Sequence, residues 1–182
     1  MTRRHIHYEA AFEDYLRSEG TAYVAVDEQR RAVFAGASVK SFDFLIYREP
    51  GETWLVDVKG RKFPYEIDRQ KRYWENWLTD EDLAGLCRWE TVFGRGFRSI
   101  VVFAYILLGS SNRQPTRHVH PFGDHYYAFM AIPADTYAAH ARRRSSRWGT
   151  RSMPVRQFRS LAQPIQECGR QAPPHWSPAQ TG

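Results

Sequence analysis

Residues 99–108 read Ser-Ile-Val-Val-Phe-Ala-Tyr-Ile-Leu-Leu. The run falls well short of the ~18 apolar residues of a membrane helix and is rich in β-branched and aromatic side chains, so a strand is expected. Successive side chains leave a strand on opposite faces, and here both parities are apolar. Such a strand must be covered on both sides, which implies layers of helix against sheet.

The rest of the chain supplies candidates for those layers. Residues 7–18 place Tyr8, Ala11, Phe12, Tyr15 and Leu16 on one helical stripe that Gly20 ends. Residues 22–26, 41–48 and 53–59 are short strand-like runs, the last two flanking a Glu-Pro-Gly-Glu turn. Residues 62–78 carry no clean period and are expected as an ordered loop. Thr79 or Asp80 can cap a helix that runs to Phe93 and stops at Gly94 and Gly96. Residues 126–132 form a further expected strand, followed by a short helix from Pro133 that ends in the arginine run 142–144. With 182 residues, one domain over 1–162 is expected. The Pro-, Gln- and Gly-rich residues 163–182 read as a frayed, disordered tail.

Charged residues interrupt two of these strands. In Trp54-Leu-Val-Asp-Val-Lys59, Asp57 and Lys59 share a face about 7 Å apart along the strand. In the preceding run Asp43 sits between Phe42 and Phe44. A hairpin centred near Pro50 sets Asp43 opposite Asp57, and cross-strand partners project to one face about 5 Å apart. Two carboxylates that close repel unless a cation lies between them. An all-oxygen donor pair with room for water suits Mg²⁺, with Mn²⁺ as substitute. Helical angles place Glu9 at the edge of the first apolar stripe, where it can look toward the site. They place Glu90 within the second stripe, beside Leu83, Cys87 and Phe93, where it needs a partner such as Lys59, an arginine or a metal-bound water.

A helix bearing Glu9, then Asp43, then Asp57-Val-Lys59, all ahead of a helix and a buried strand, resembles the PD-(D/E)XK nuclease superfamily, the restriction-endonuclease-like and Holliday-junction-resolvase-like fold. The resemblance spans roughly residues 5–108. It implies an α/β fold with an αβββαβ core, a mixed central β-sheet flanked by helices, here followed by a C-terminal strand-helix extension. It implies further that Asp43 and Asp57 bind Mg²⁺, that Lys59 positions or activates water, and that Glu9 is the acid of the first helix. Phe42 stands where the superfamily's naming proline would be, and the acid of the third strand is an aspartate. Many members dimerise to cut two strands, so the resemblance admits a homodimer, although no dimer seam is visible in the sequence.

Charge points the same way. The net charge is +6, and of the 26 basic residues only Lys40, Lys59, Lys62 and Lys71 are lysines. Arginine's planar fork suits phosphate, so nucleic acid is the expected partner, DNA ahead of RNA. Residues 136–166 hold seven arginines and no acid, and within them Arg142, Arg143, Arg144 and Arg147 with Trp148 offer phosphate contacts and a stacking surface. His118, His120 and His125 lie in a loop and could chelate a transition metal, but without cysteines or a helical HExxH they read as a solvated loop. No phosphate-cradling glycine motif is present. Two distant cysteines exclude a disulfide framework, and a polar amino terminus with no apolar leader leads to the expectation of a soluble, cytoplasmic protein that does not enter a membrane. The rival readings are a non-catalytic nucleic-acid-binding module and an RNA endonuclease on the same scaffold.

Overall fold

The computed structural model describes residues 6–26, 32–34, 37–48, 51–109 and 114–168. In chain order the elements are α1 (Ile6–Ser18), β1 (Tyr23–Ala25), β2 (Ala32–Phe34), β3 (Ala37–Val39), β4 (Phe44–Arg48), β5 (Glu52–Phe63), β6 (Tyr65–Ile67), β7 (Gln70–Arg72) and β8 (Trp77–Thr79). There follow α2 (Asp80–Phe93), β9 (Phe97–Leu107), β10 (His120–Phe122), β11 (His125–Pro133), α3 (Ala134–His140), β12 (Arg142–Ser145), β13 (Thr150–Ser152), α4 (Val155–Leu161) and β14 (Gln163–Pro164).

The central sheet runs β1-β4-β5-β9-β11-β10, with β14 on β11. It is mixed: β5 and β9 are parallel from Thr53↔Phe97 to Phe63↔Leu107, while β4 on β5 and β11 on β9 are antiparallel. Along this sheet α1, β1, β4, β5, α2 and β9 follow in the αβββαβ order. The apolar run read from the sequence is β9, whose residues Ile100–Tyr105 are essentially inaccessible.

Strand parity sorts the core into two layers. The even residues Trp54, Val56 and Val58 of β5 pack with Ala11, Phe12, Tyr15 and Leu16 of α1. The odd residues Leu55 and Phe63 pack with Leu83 and Leu86 of α2, Tyr137 of α3 and Phe158 of α4. Among the described residues one helix thus covers one face of the sheet and three cover the other, and removing apolar surface from water on both sides is the main term holding the layers together.

Several expectations are corrected. Residues 62–78 are not a loop: β5 runs on to Phe63, β6 and β7 make a hairpin whose two turn residues Asp68 and Arg69 take positive φ, and β8 joins a second sheet, β12-β13-β8. Positive φ at both central residues is the twist a two-residue hairpin requires. The helix after Pro133 stops at His140, and Arg142–Arg144 belong to a strand paired with β13. Residues 163–168 do not fray, because Gln163 and Pro164 pair with β11 and Ile165 and Cys168 are buried against the α1 layer. The rest of the expected tail lies outside the described residues, as does part of the Glu-Pro-Gly-Glu turn. No helix among the described residues is long and apolar enough to cross a membrane.

Candidate active site

Pairs such as Phe44↔Val56 and Ile46↔Trp54 centre the β4–β5 hairpin on residue 50. Asp43 lies one step past the last pair, at the position that faces Asp57 in that register. It is not held as a regular strand residue. Its N–H donates to the Val56 carbonyl (2.8 Å), so Asp43 and Phe44 both address Val56, as in a bulge that re-aims a side chain. The buried Asp43 carboxylate accepts the Val58 N–H.

Asp57 and Lys59, being odd residues of β5, face α2. Lys59 Nζ stands 2.7 Å from Asp57 Oδ2. That ammonium is the close partner of this buried oxygen. Burial pushes the Asp57 carboxyl above its ordinary pKa against the pull of Lys59, and the nearby Asp82 adds to the rise. Lys59 goes the other way: burial disfavours its charge, but Asp57, Asp82 and Asp43 together hold it above the ordinary lysine range. Lys59 is therefore an ammonium at neutral pH.

Asp82 is the acid that reading the sequence missed. Thr79 and Asp82 form a capping box, the Thr79 hydroxyl accepting the Asp82 N–H (3.0 Å) and the Asp82 carboxylate accepting the Thr79 N–H (3.2 Å). The carboxylate lies 3.4 Å from Lys59 Nζ and pairs with Lys40. Burial would raise its pKa, but the two lysines outweigh burial and hold it well below the usual carboxylate range. The signal was present: Thr79-x-x-Asp82 is a capping-box pattern, and Asp82 stands one turn before Leu86 on the buried stripe.

The other expected acids fall elsewhere. Glu9 is on α1, which covers the opposite face of the sheet from Asp57 and Lys59. It lines, with Asp43, Glu13, Val26 and Phe44, a cleft of about 190 Å³. Asp43 thus stands at the sheet margin between the Glu9 cleft on one side and Lys59 on the other. Glu90 is not part of the site: it sits two turns beyond Asp82 on α2 and accepts the Ser99 N–H at 2.7 Å, capping the entry of β9. The stripe assumed for it was rotated, since Cys87 is exposed while Asp82, Leu83, Gly85 and Leu86 are buried.

The arginines form a hairpin beside the site. β13 pairs with β8 so that Thr150 lies opposite Thr79, the cap of α2, and Arg151 pairs with Asp80 at the first turn of that helix. Arg142, Arg143, Arg144 and Arg147 are exposed, and Arg147 lies over the ring of Trp148, itself 69% exposed. Arg144 is engaged, 4.0 Å from Glu75 and over Trp77. Trp77 also carries the buried Arg61 over its ring, and Arg61 donates to the Gly60 and Trp77 carbonyls. The histidines do not converge: His118 contacts Glu167 (3.2 Å), His120 contacts Asp14 (2.8 Å), and His125 is exposed.

Among the described residues no three His, Cys, Asp or Glu side chains are gathered into a ligand set. The oxygens on offer are those of the buried Asp57 carboxylate, beside Lys59, and of Asp43 across the hairpin, and Mg²⁺ commonly takes only one or two protein carboxylates and keeps its waters. That donor set fits a hard divalent cation.

The fold built from these elements is a mixed α/β fold, a central mixed sheet flanked by helices. Among solved structures the chain is similar to Hjc, a Holliday junction resolvase from the archaeal hyperthermophile Archaeoglobus fulgidus, with a TM-score of 0.51 and 13% sequence identity over 89% of this chain and 97% of that one. No protein-family model and no curated protein matches the chain in sequence.

Proposed function

We propose that this chain is a PD-(D/E)XK nuclease that hydrolyses phosphodiester bonds in DNA with Mg²⁺, Mn²⁺ serving as substitute. The observation that carries the reading is the pairing of the buried Asp57 carboxylate with a charged Lys59 two residues on, within a fold shared with a Holliday junction resolvase. Asp57 and Asp43 would hold the metal, whose chemistry when bound is Lewis-acid polarisation of the phosphate and a more acidic water. Lys59, a fixed ammonium, offsets charge developing on the phosphate and orients water; it does not act as a base. Glu9 faces Asp43 from the other side and serves water or a second ion there. The arginine hairpin and Trp148 supply attraction to the phosphate backbone and a stacking surface.

The test is a cleavage assay on linear, nicked, branched and single-stranded DNA, and on RNA, in Mg²⁺, Mn²⁺ and EDTA. Cleavage of DNA that EDTA stops is the expected result. Binding without cleavage under all conditions would replace the enzyme with a nucleic-acid-binding module, and a strict need for the 2′-hydroxyl would make the substrate RNA. Sedimentation of the protein with and without DNA tests whether it acts as a homodimer.

A further inference from the structure

We propose that Lys40 is a second lysine of this site, a phosphate-contacting group that leaves Asp82 for the substrate backbone when nucleic acid binds. The inference rests on the nuclease reading above and adds a residue to it. Four features single Lys40 out. Its backbone is clamped against α2: the Trp89 indole N–H donates to its carbonyl at 2.8 Å. A Cβ on Gly85 would lie only 3.3 Å from that same carbonyl, so the helix backbone comes as near as glycine allows. The side chain then leaves this fixed root and reaches Asp82, next to Lys59. Unlike Lys59, whose side chain is 16% exposed, that of Lys40 is 40% exposed, so it is the member of the network that meets solvent.

Asp82 can release Lys40 without becoming an unpaired buried charge. It keeps Lys59 at 3.4 Å and the Thr79 N–H at 3.2 Å. A flexible four-carbon stem lets the ammonium swing while its root stays pinned. The charge balance supplies the reason to swing. With Glu9 beside Asp43, four carboxylates stand against Lys40 and Lys59, which leaves the site two negative charges in excess. A divalent ion brings it to neutral, whereas without Lys40 the same site stays one negative, a poor receiver for a phosphodiester.

The experiment measures affinity for a short synthetic DNA duplex in Ca²⁺ across a salt series, by fluorescence anisotropy, with wild type, Lys40→Met and Lys40→Arg, and records the Tm of each. Lys40→Met is expected to weaken binding and to reduce the magnitude of the log K against log salt slope by about 0.9, one phosphate's share. Lys40→Arg keeps the slope, because the charge is kept. Wild-type affinity and slope in Lys40→Met would overturn the proposal, as would a lowered Tm with an unchanged slope, which marks a purely structural partner of Asp82. Failure of the wild type itself to bind the duplex would instead strike the nucleic-acid reading, and this inference with it.

Discussion

Lys59 and Asp82 meet at 3.4 Å across the junction between the central strand β5 and the first turn of α2. Because Asp82 is also half of the capping box with Thr79, the residue that starts the helix is the one that steadies the lysine. The turn carrying both is paired through β8 to the arginine hairpin. Site chemistry, helix initiation and the basic surface therefore share one short stretch of backbone.

This junction gives stability a defined pH window. The Asp82 carboxyl is held low despite its burial, so its contribution is present above the ordinary aspartate pKa of about 3.9 and is lost as pH falls through its lower folded value. Lys59 is held high, so its contribution is present below about 10.4 and lost as pH rises beyond it. Asp82→Asn, which keeps the cap but removes the charge, is expected to cost about 3 kcal/mol near neutrality. Denaturation of both proteins across pH should show the gap closing in strong acid. A gap of constant size would mean that the charge contributes nothing.

Asp57→Asn should abolish Mg²⁺-dependent cleavage while leaving the fold and DNA affinity in EDTA nearly unchanged. Burial opposes the Asp57 charge, and Lys59 retains Asp82, so stability is expected to shift by less than about 1 kcal/mol. Cleavage, affinity and Tm measured on the same variant decide it. A large drop in Tm with no activity to lose in the wild type would make Asp57 a structural ion-pair partner.

Neutralising Arg142, Arg143, Arg144 and Arg147 together should weaken DNA binding across sequences and flatten its salt dependence, by up to about 0.9 for each phosphate that is no longer neutralised. Arg144 is tied to Glu75 and Trp77, so its single substitution should change the slope least. Anisotropy titrations at several salt concentrations provide the measurement, and an unchanged slope in the fourfold variant would leave the hairpin a solvated surface.

Gly60→Ala tests the packing beneath the site. A Cβ there would stand 2.1 Å from the Tyr8 ring, which lies tilted against His7 and meets Tyr127 edge-on. Displacing that ring is expected to cost about 1–3 kcal/mol. Truncating Tyr8 in the same background should cost less than the two changes added separately, because the clash is then gone. Simple additivity in thermal unfolding would show that the two residues do not crowd each other.

Patterns with a short period were readable in the sequence. The alternation of Asp57 and Lys59, the symmetry about residue 50 and the two-sided apolar run of β9 depend only on how a strand presents its side chains and how a hairpin folds back. They gave the layered architecture and set Asp57 and Lys59 on one face of their strand. They could not say which face of the sheet each helix would cover, since a helical stripe tells which residues are buried and not against what. The path of the chain around the sheet decided that. It set α1 with Glu9 behind the sheet and turned the first turn of α2 toward the lysine, so that Asp82 and Lys40, 42 positions apart, meet beside a residue neither adjoins in sequence. Contacts of such separation arise from packing two layers together, and only the tertiary structure holds that information.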